Sequence, residues 1–193
     1  MSRNTRSSRV DLAHGAARVL IAAALAVPMP SVLAASVVPP LPSAVTSLAP
    51  ALEFRGGGEM TFFGFAIYDG WYWNAGRGFS LEHPLALDLQ YKRHLEGKAI
   101  AARSVEEITK LGLGTPEQRV RWGDAMRRIF PDVAKGDRLT GLCLPPGKAR
   151  FFHNGRAIGE IDDHEFTRAF FGIWLDPATS RPDFRRKLLG QSE

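Results

Sequence analysis

RLTGLCLPPGKARFFHNGRAIGEID, residues 138–162, holds three strand-length runs with no helix between them. Arg138–Leu144 reads as a strand and stops at Pro145-Pro146-Gly147, which cannot continue a hydrogen-bonded ladder. Ala149–His153 then meets Arg156–Ile161 across Asn154-Gly155, the dipeptide that most readily takes the left-handed geometry of a two-residue hairpin turn. Strands joined this tightly run antiparallel, because a parallel pair needs a long crossover between its members.

Upstream, Leu85, Leu87, Leu89 and Tyr91 alternate with smaller or polar residues, the period of a half-buried strand. Before it, Gly56-Gly57-Gly58 leads into the aromatic-rich stretch Met60–Trp73, which predicts a bent or bulged strand pair. Two helices separate these strands from the first quoted run. One follows Gly97, with Ile100, Val105, Ile108 and Leu111 near the helical period and Gly112 as its stop. The other starts at Thr115 as cap, with Pro116 in the first turn and Gln118 completing a capping box. Val120, Trp122, Met126, Ile129 and Phe130 supply its contacts, and Pro131 ends it. Downstream, Asp162 and Glu165 form a capping arrangement for a third helix, with Phe166, Phe170, Ile173 and Trp174 inward, before Pro177 stops it. A short basic helix, Pro182–Leu189, follows. Strands grouped apart from helices give an α+β class: an antiparallel sheet with helices packed on one face.

The chain ends carry a different texture. Residues 1–34 read as a cleavable signal peptide: Arg3, Arg6, Arg9 and Arg18 precede the apolar run Val19–Val27, Pro28 and Pro30 break it, and Val32-Leu33-Ala34 suits a signal peptidase. That apolar run is far below the roughly 20 residues of a membrane-spanning helix. Removal of the four arginines and Asp11 takes the formal charge of the 193-residue chain from +5 to +2. Export to the periplasm or exterior is therefore expected, and no basic run remains to hold nucleic acid. Residues 35–50, rich in Pro, Ser and Ala and free of charge, read as a flexible linker, residues 51–190 as one domain and 191–193 as a tail. Cys143, the single cysteine, excludes an internal disulfide and sits in an apolar run that suits a buried, inert thiol.

Few patterns for chemistry stand out. His164 lies among Asp162, Asp163 and Glu165, but carboxylates at a helix start complement the helix dipole, and no second His follows at metal-ligand spacing. No catalytic triad order, phosphate loop or cofactor motif is present. Arg181, Arg185, Arg186 and Lys187 read as a solvated helix face. Alternation through Met60–Trp73 sets Gly64, Ala66, Tyr68 and Gly70 on one face, where small residues beside a phenol either floor a ligand site or admit a close-packed helix.

Several phrases together resemble one known family. FFGFAIYDGWYW (62–73), LALDLQYKR (85–93), Phe130-Pro131-Asp132-Val133 leading to Gly136-Asp137-Arg138-Leu139-Thr140-Gly141, FFHNGRAIGEIDD (151–163) and AFFGIWLDPATS (169–180) are similar to the bacterial chalcone isomerase-like proteins, from about Phe54 to Gly190. The resemblance implies an open-faced sandwich with an apolar cleft between sheet and helices. Isomerases of the family close a flavanone ring with Arg, Thr, Tyr and Asn, whereas fatty-acid-binding members hold a carboxylate with Arg and Tyr. Here Ile100 falls at the isomerase Tyr position and Glu107 at the Asn position. An aliphatic chain cannot orient a ketone or water, and a carboxylate repels the attacking phenolate. Tyr68 falls where the binding members present their Tyr, and Arg55, thirteen residues upstream, is its candidate partner. The expectation is a non-catalytic protein holding a small hydrophobic or amphipathic ligand such as a fatty acid. Tyr68, Arg55, Gly64, Ala66, Gly70, Ile100 and Glu107 would form its cleft, with no metal and no cofactor. The alternatives are an isomerase using Tyr68, Glu107 and Arg103, or a scaffold whose cleft is plugged by Phe and Trp side chains.

Overall fold

Asn154 and Gly155 take φ of 49° and 80°, the paired left-handed conformation of a type I′ turn, and close β5 (Lys148–His153) on β6 (Arg156–Asp162). Phe63 and Gly64 repeat it at 47° and 79°, closing β1 (Glu53–Phe62) on β2 (Phe65–Asn74). The bulged strand pair read within Met60–Trp73 is thus the tip of a hairpin, Met60–Phe62 pairing with β2, and its first arm begins earlier than read, at Glu53. With β3 (Leu85–Tyr91) and β4 (Arg138–Leu144) these strands form one antiparallel sheet in chain order, β1-β2-β3-β4-β5-β6. This computed structural model describes residues 38–191, so the expected signal peptide (1–34), the first linker residues and the tail residues 192–193 lie outside the described residues.

The connections between strands hold the helices. α2 (Gly97–Lys110) and α3 (Pro116–Ile129) join β3 to β4, and α4 (His164–Leu175) and α5 (Pro182–Leu188) follow β6. Gly97 starts α2 because a Cβ there would lie 2.1 Å from the Phe130 carbonyl oxygen, while its own N–H donates to Asp132 Oδ1 at 2.9 Å. The capping box of α3 forms as the sequence predicts: Gln118 N–H donates to Thr115 Oγ1 and Thr115 N–H to Gln118 Oε1. Val120, expected to pack, is exposed. α4 starts one residue later than read: Asp162 ends β6, and Asp163 accepts from Phe166 N–H at 3.0 Å and from Trp122 Nε1 at 2.9 Å. The second bond fixes α4 to α3, which Asp162, pointing from a strand, could not do.

Leu85, Leu87, Leu89 and Tyr91 face Phe166, Phe170, Phe171 and Ile173 of α4 across the main core. Burial of each such side chain is worth about 1.5–3 kcal/mol. The reverse face has its own small core and corrects the linker reading. Within residues 35–50, α1 (Ser43–Thr46) forms, and Leu41, Val45 and Ala49 pack on Ala86, Leu142 and Phe152. Positions 41, 45 and 49 recur every fourth residue, so a segment without charge is here an apolar stripe. Arg138, paired with the fully buried Asp88, also donates to the Pro40 carbonyl at 3.1 Å and ties this strap down. The folded unit therefore begins before residue 51, and the helices share one face except for α1.

Candidate ligand-binding site

Between the sheet and the helices lies a cavity of about 350 Å³. Its floor is the core face of β3 and β4 (Leu87, Leu89, Tyr91, Leu139), and Phe170, Ile173 and Trp174 of α4 form one wall. Ile100, Arg103, Ser104 and Glu107 line it from a single stripe of α2, since residues three and four apart share a helix face. Met60, Phe62, Ile67 and Tyr68 reach it from the first hairpin, and Arg181 from the segment between α4 and α5.

Polar groups gather at one end. The Tyr68 hydroxyl oxygen accepts from Trp174 Nε1 at 2.8 Å, and the charges of Arg181, Glu107 and Arg103 all act on that phenol. Burial is the largest influence and pushes its pKa up to about 12, so the group is a neutral donor at physiological pH. Its oxygen is occupied as an acceptor, and its proton has no acceptor among the described residues. Tyr91, whose ring lies edge-on to that of Tyr68 at 5.7 Å, is buried, makes no side-chain hydrogen bond among the described residues, and is also shifted upward by burial.

Glu107 is held firmly. Burial opposes its ionisation, but the Ser180 hydroxyl at 2.5 Å, Lys110 at 2.9 Å and Arg103 at 2.5 Å outweigh it and keep the carboxyl below its usual pKa. Arg181 differs: it has no ion pair among the described residues, its guanidinium carbon sits 4.9 Å from the Phe62 ring centre, and its buried Nε has no partner. Arg103 approaches the same ring at 5.2 Å.

Of the residues expected from sequence, Tyr68, Ile100 and Glu107 line the cavity and the rest do not. Arg55 is the extra residue of a β-bulge between the Phe54 and Gly56 pairs, at the opposite end of the hairpin from Tyr68. There it donates to the carbonyls of Asn74 and Gly76, each at 3.0 Å, and pairs with Glu53. Gly64 serves the turn. Ala66 leaves the Tyr68 face because a second bulge skips Ile67 and shifts the alternation by one. Gly70 admits a helix, since a Cβ there would lie 2.8 Å from Phe184 Cζ and 3.1 Å from Leu89 Cδ2. Sequence reading missed Arg181, grouped with a solvated basic face, and the Trp174 bond to Tyr68, whose partners lie 106 residues apart. The i,i+4 pair Arg103–Glu107, one turn from Ile100, was the available signal for the polar stripe. Among the described residues no group of His, Cys, Asp and Glu converges to hold a metal ion. Burial pushes the Cys143 thiol up to about 12, away from reactive thiolate.

Residues 86–190 match the family described as chalcone isomerase-like. Over 150 residues the chain is 31% identical to an uncharacterized protein of Haemophilus influenzae, spanning 76% of this chain and 73% of that one. Its backbone resembles the crystal structure of a fatty-acid binding protein of Arabidopsis thaliana, with a TM-score of 0.55 over 72% of this chain and 87% of that chain. At 11% identity that likeness is one of fold.

Proposed function

The chain belongs to the chalcone isomerase-like family, and we propose that within it this protein binds a fatty acid or similar amphipathic carboxylate without transforming it. The observation that carries this reading is the segregation of the cavity: apolar walls over most of about 350 Å³, with unpaired donors at one end. The acyl chain lies over Leu87, Leu89 and Phe170. The carboxylate takes the Arg181 guanidinium and the Tyr68 proton, a charge-assisted pair stronger than a neutral hydrogen bond. Arg181 thus replaces Arg55 as counter-ion. The fold shared with a plant fatty-acid binding protein is consistent with this use.

Catalysis of the isomerase type has little to work with. Ile100 is on the cavity wall where the resemblance sets the isomerase Tyr, Glu107 is ionised and tied to three neighbours, and Tyr68 cannot serve as a base near neutral pH. Displacement of cis-parinaric acid by oleate tests binding, and the visible absorbance of a chalcone tests turnover. Saturable displacement with no chalcone loss above the spontaneous rate is expected. Chalcone consumption abolished by Tyr68→Phe contradicts the reading.

Export is the second part of the proposal. The chain recovered from the cell envelope should begin at Ala35 on N-terminal sequencing, and recovery only of chains that begin at Met1 contradicts cleavage. No helix among the described residues is long and apolar enough to cross a membrane.

A further inference from the structure

Phe62 and Phe65 pair across the last rung of the β1–β2 hairpin and so share a face, and Phe63 packs edge-on against Phe62 with ring centres 4.4 Å apart. Three aromatic rings thus crowd one tip, and Phe62 among them also lines the cavity. Phe63 is 85% exposed and Phe65 65% exposed, so neither gains from burial in the folded chain.

The backbone makes this placement harder to dismiss. Phe63 holds φ of 47°, a region that bulky side chains avoid, in the same turn geometry for which the β5–β6 hairpin uses Asn154. A strained, solvent-facing Phe where Asn is preferred is an outlier of the kind that marks a function outside the fold.

The charges around the tip are sorted. Lys92 neutralises Glu59 and Asp69, and Arg103 with Lys110 neutralises Glu106 and Glu107. That leaves Arg93, with its guanidinium carbon 5.7 Å from the Phe65 ring centre, and Arg181 beside Phe62, neither with a carboxylate partner among the described residues. Exposed aromatic rings beside Arg93, a cation with no carboxylate partner among the described residues, match an anionic bilayer surface, where rings enter the interface and a guanidinium group meets phosphates.

We infer that the β1–β2 hairpin tip docks this protein onto anionic membrane, with Phe63 and Phe65 inserted and the Phe62 side of the cavity held toward the lipid. The inference does not depend on which molecule fills the cavity. Flotation of the protein with vesicles of phosphatidylcholine and phosphatidylglycerol tests it. Co-flotation is expected, and the Phe63→Asn/Phe65→Ser variant should lose it at least tenfold while melting no lower than the wild type and keeping its uptake of cis-parinaric acid. Arg93→Ala should weaken binding to the anionic vesicles about fivefold and leave any binding to phosphatidylcholine alone unchanged. Equal flotation of wild type and double variant overturns the inference, as does wild type that stays unbound. Self-association of wild type in sedimentation velocity, removed by Phe63→Asn with no vesicle binding, would assign the tip to a second copy and overturn it as well.

Discussion

In the proposed binding mode the Tyr68 hydroxyl serves both stability and recognition. Tyr68→Phe removes the acceptor of Trp174 Nε1 and the donor aimed at the ligand. A buried donor left unpaired costs about 1–3 kcal/mol, so thermal unfolding should shift down, and oleate affinity should fall roughly tenfold in the displacement titration. Adding Trp174→Phe should recover part of the stability but none of the affinity, because the orphaned N–H then disappears while the ligand donor stays absent. Arg181→Ala is expected to weaken oleate about tenfold or more and to leave its methyl ester unaffected, whereas Arg55→Ala leaves both affinities in place. Loss of oleate binding in Arg55→Ala would return the counter-ion to the position expected from sequence. Tyr68 was legible because alternation and family resemblance converge on it. Arg181 was not: it joins the cavity lining only once the chain after α4 folds back over Phe62, and local sequence shows only a basic residue in a basic run.

Elements were legible where local chemistry specifies them. Thr115, Pro116 and Gln118 set the start of α3, and Pro145-Pro146-Gly147 and Asn154-Gly155 mark the ends of β4 and β5. A bulge within Met60–Trp73 was expected but not its position at Ile67, and the bulge at Arg55 gave no signal, since a single unpaired residue leaves composition unchanged yet inverts every side chain beyond it. The Phe63–Gly64 turn carries a measurable cost. Phe63→Asn alone should raise stability by about 1 kcal/mol, read as a rise of roughly 2–4 °C in melting temperature for a chain of this size. α1 was misread because its apolar stripe looked like an uncharged linker. A chain starting at Ala51 loses the burial of Leu41 and Val45, and its melting temperature is expected to drop on the order of 10 °C. An unchanged melting curve would restore the linker reading.

Across the whole molecule, the six-stranded meander needs no crossover, which is why the order of elements alone disclosed the α+β class. The cavity is a different matter, because empty space depends on side-chain directions from several elements at once. All three tyrosines of the chain lie in this architecture with their pKa raised chiefly by burial. Unfolded tyrosines ionise near pH 10, while the folded ones stay protonated to about 12 or beyond. Between those values the unfolded state holds fewer protons, so stability falls as pH rises above 10 and is insensitive to these groups below it. Tyrosinate absorbance should therefore appear only together with the loss of circular dichroism. Ionisation of a tyrosine near pH 10 with the fold intact would mean that its phenol faces water. The proposed occupation of the cavity is tested most directly by native mass spectrometry of the folded chain, purified from its native cells and then offered oleate. A single acyl carboxylate adduct, diminished in Tyr68→Phe and in Arg181→Ala, is the expected spectrum. A chain that stays at its bare mass in both conditions contradicts the account.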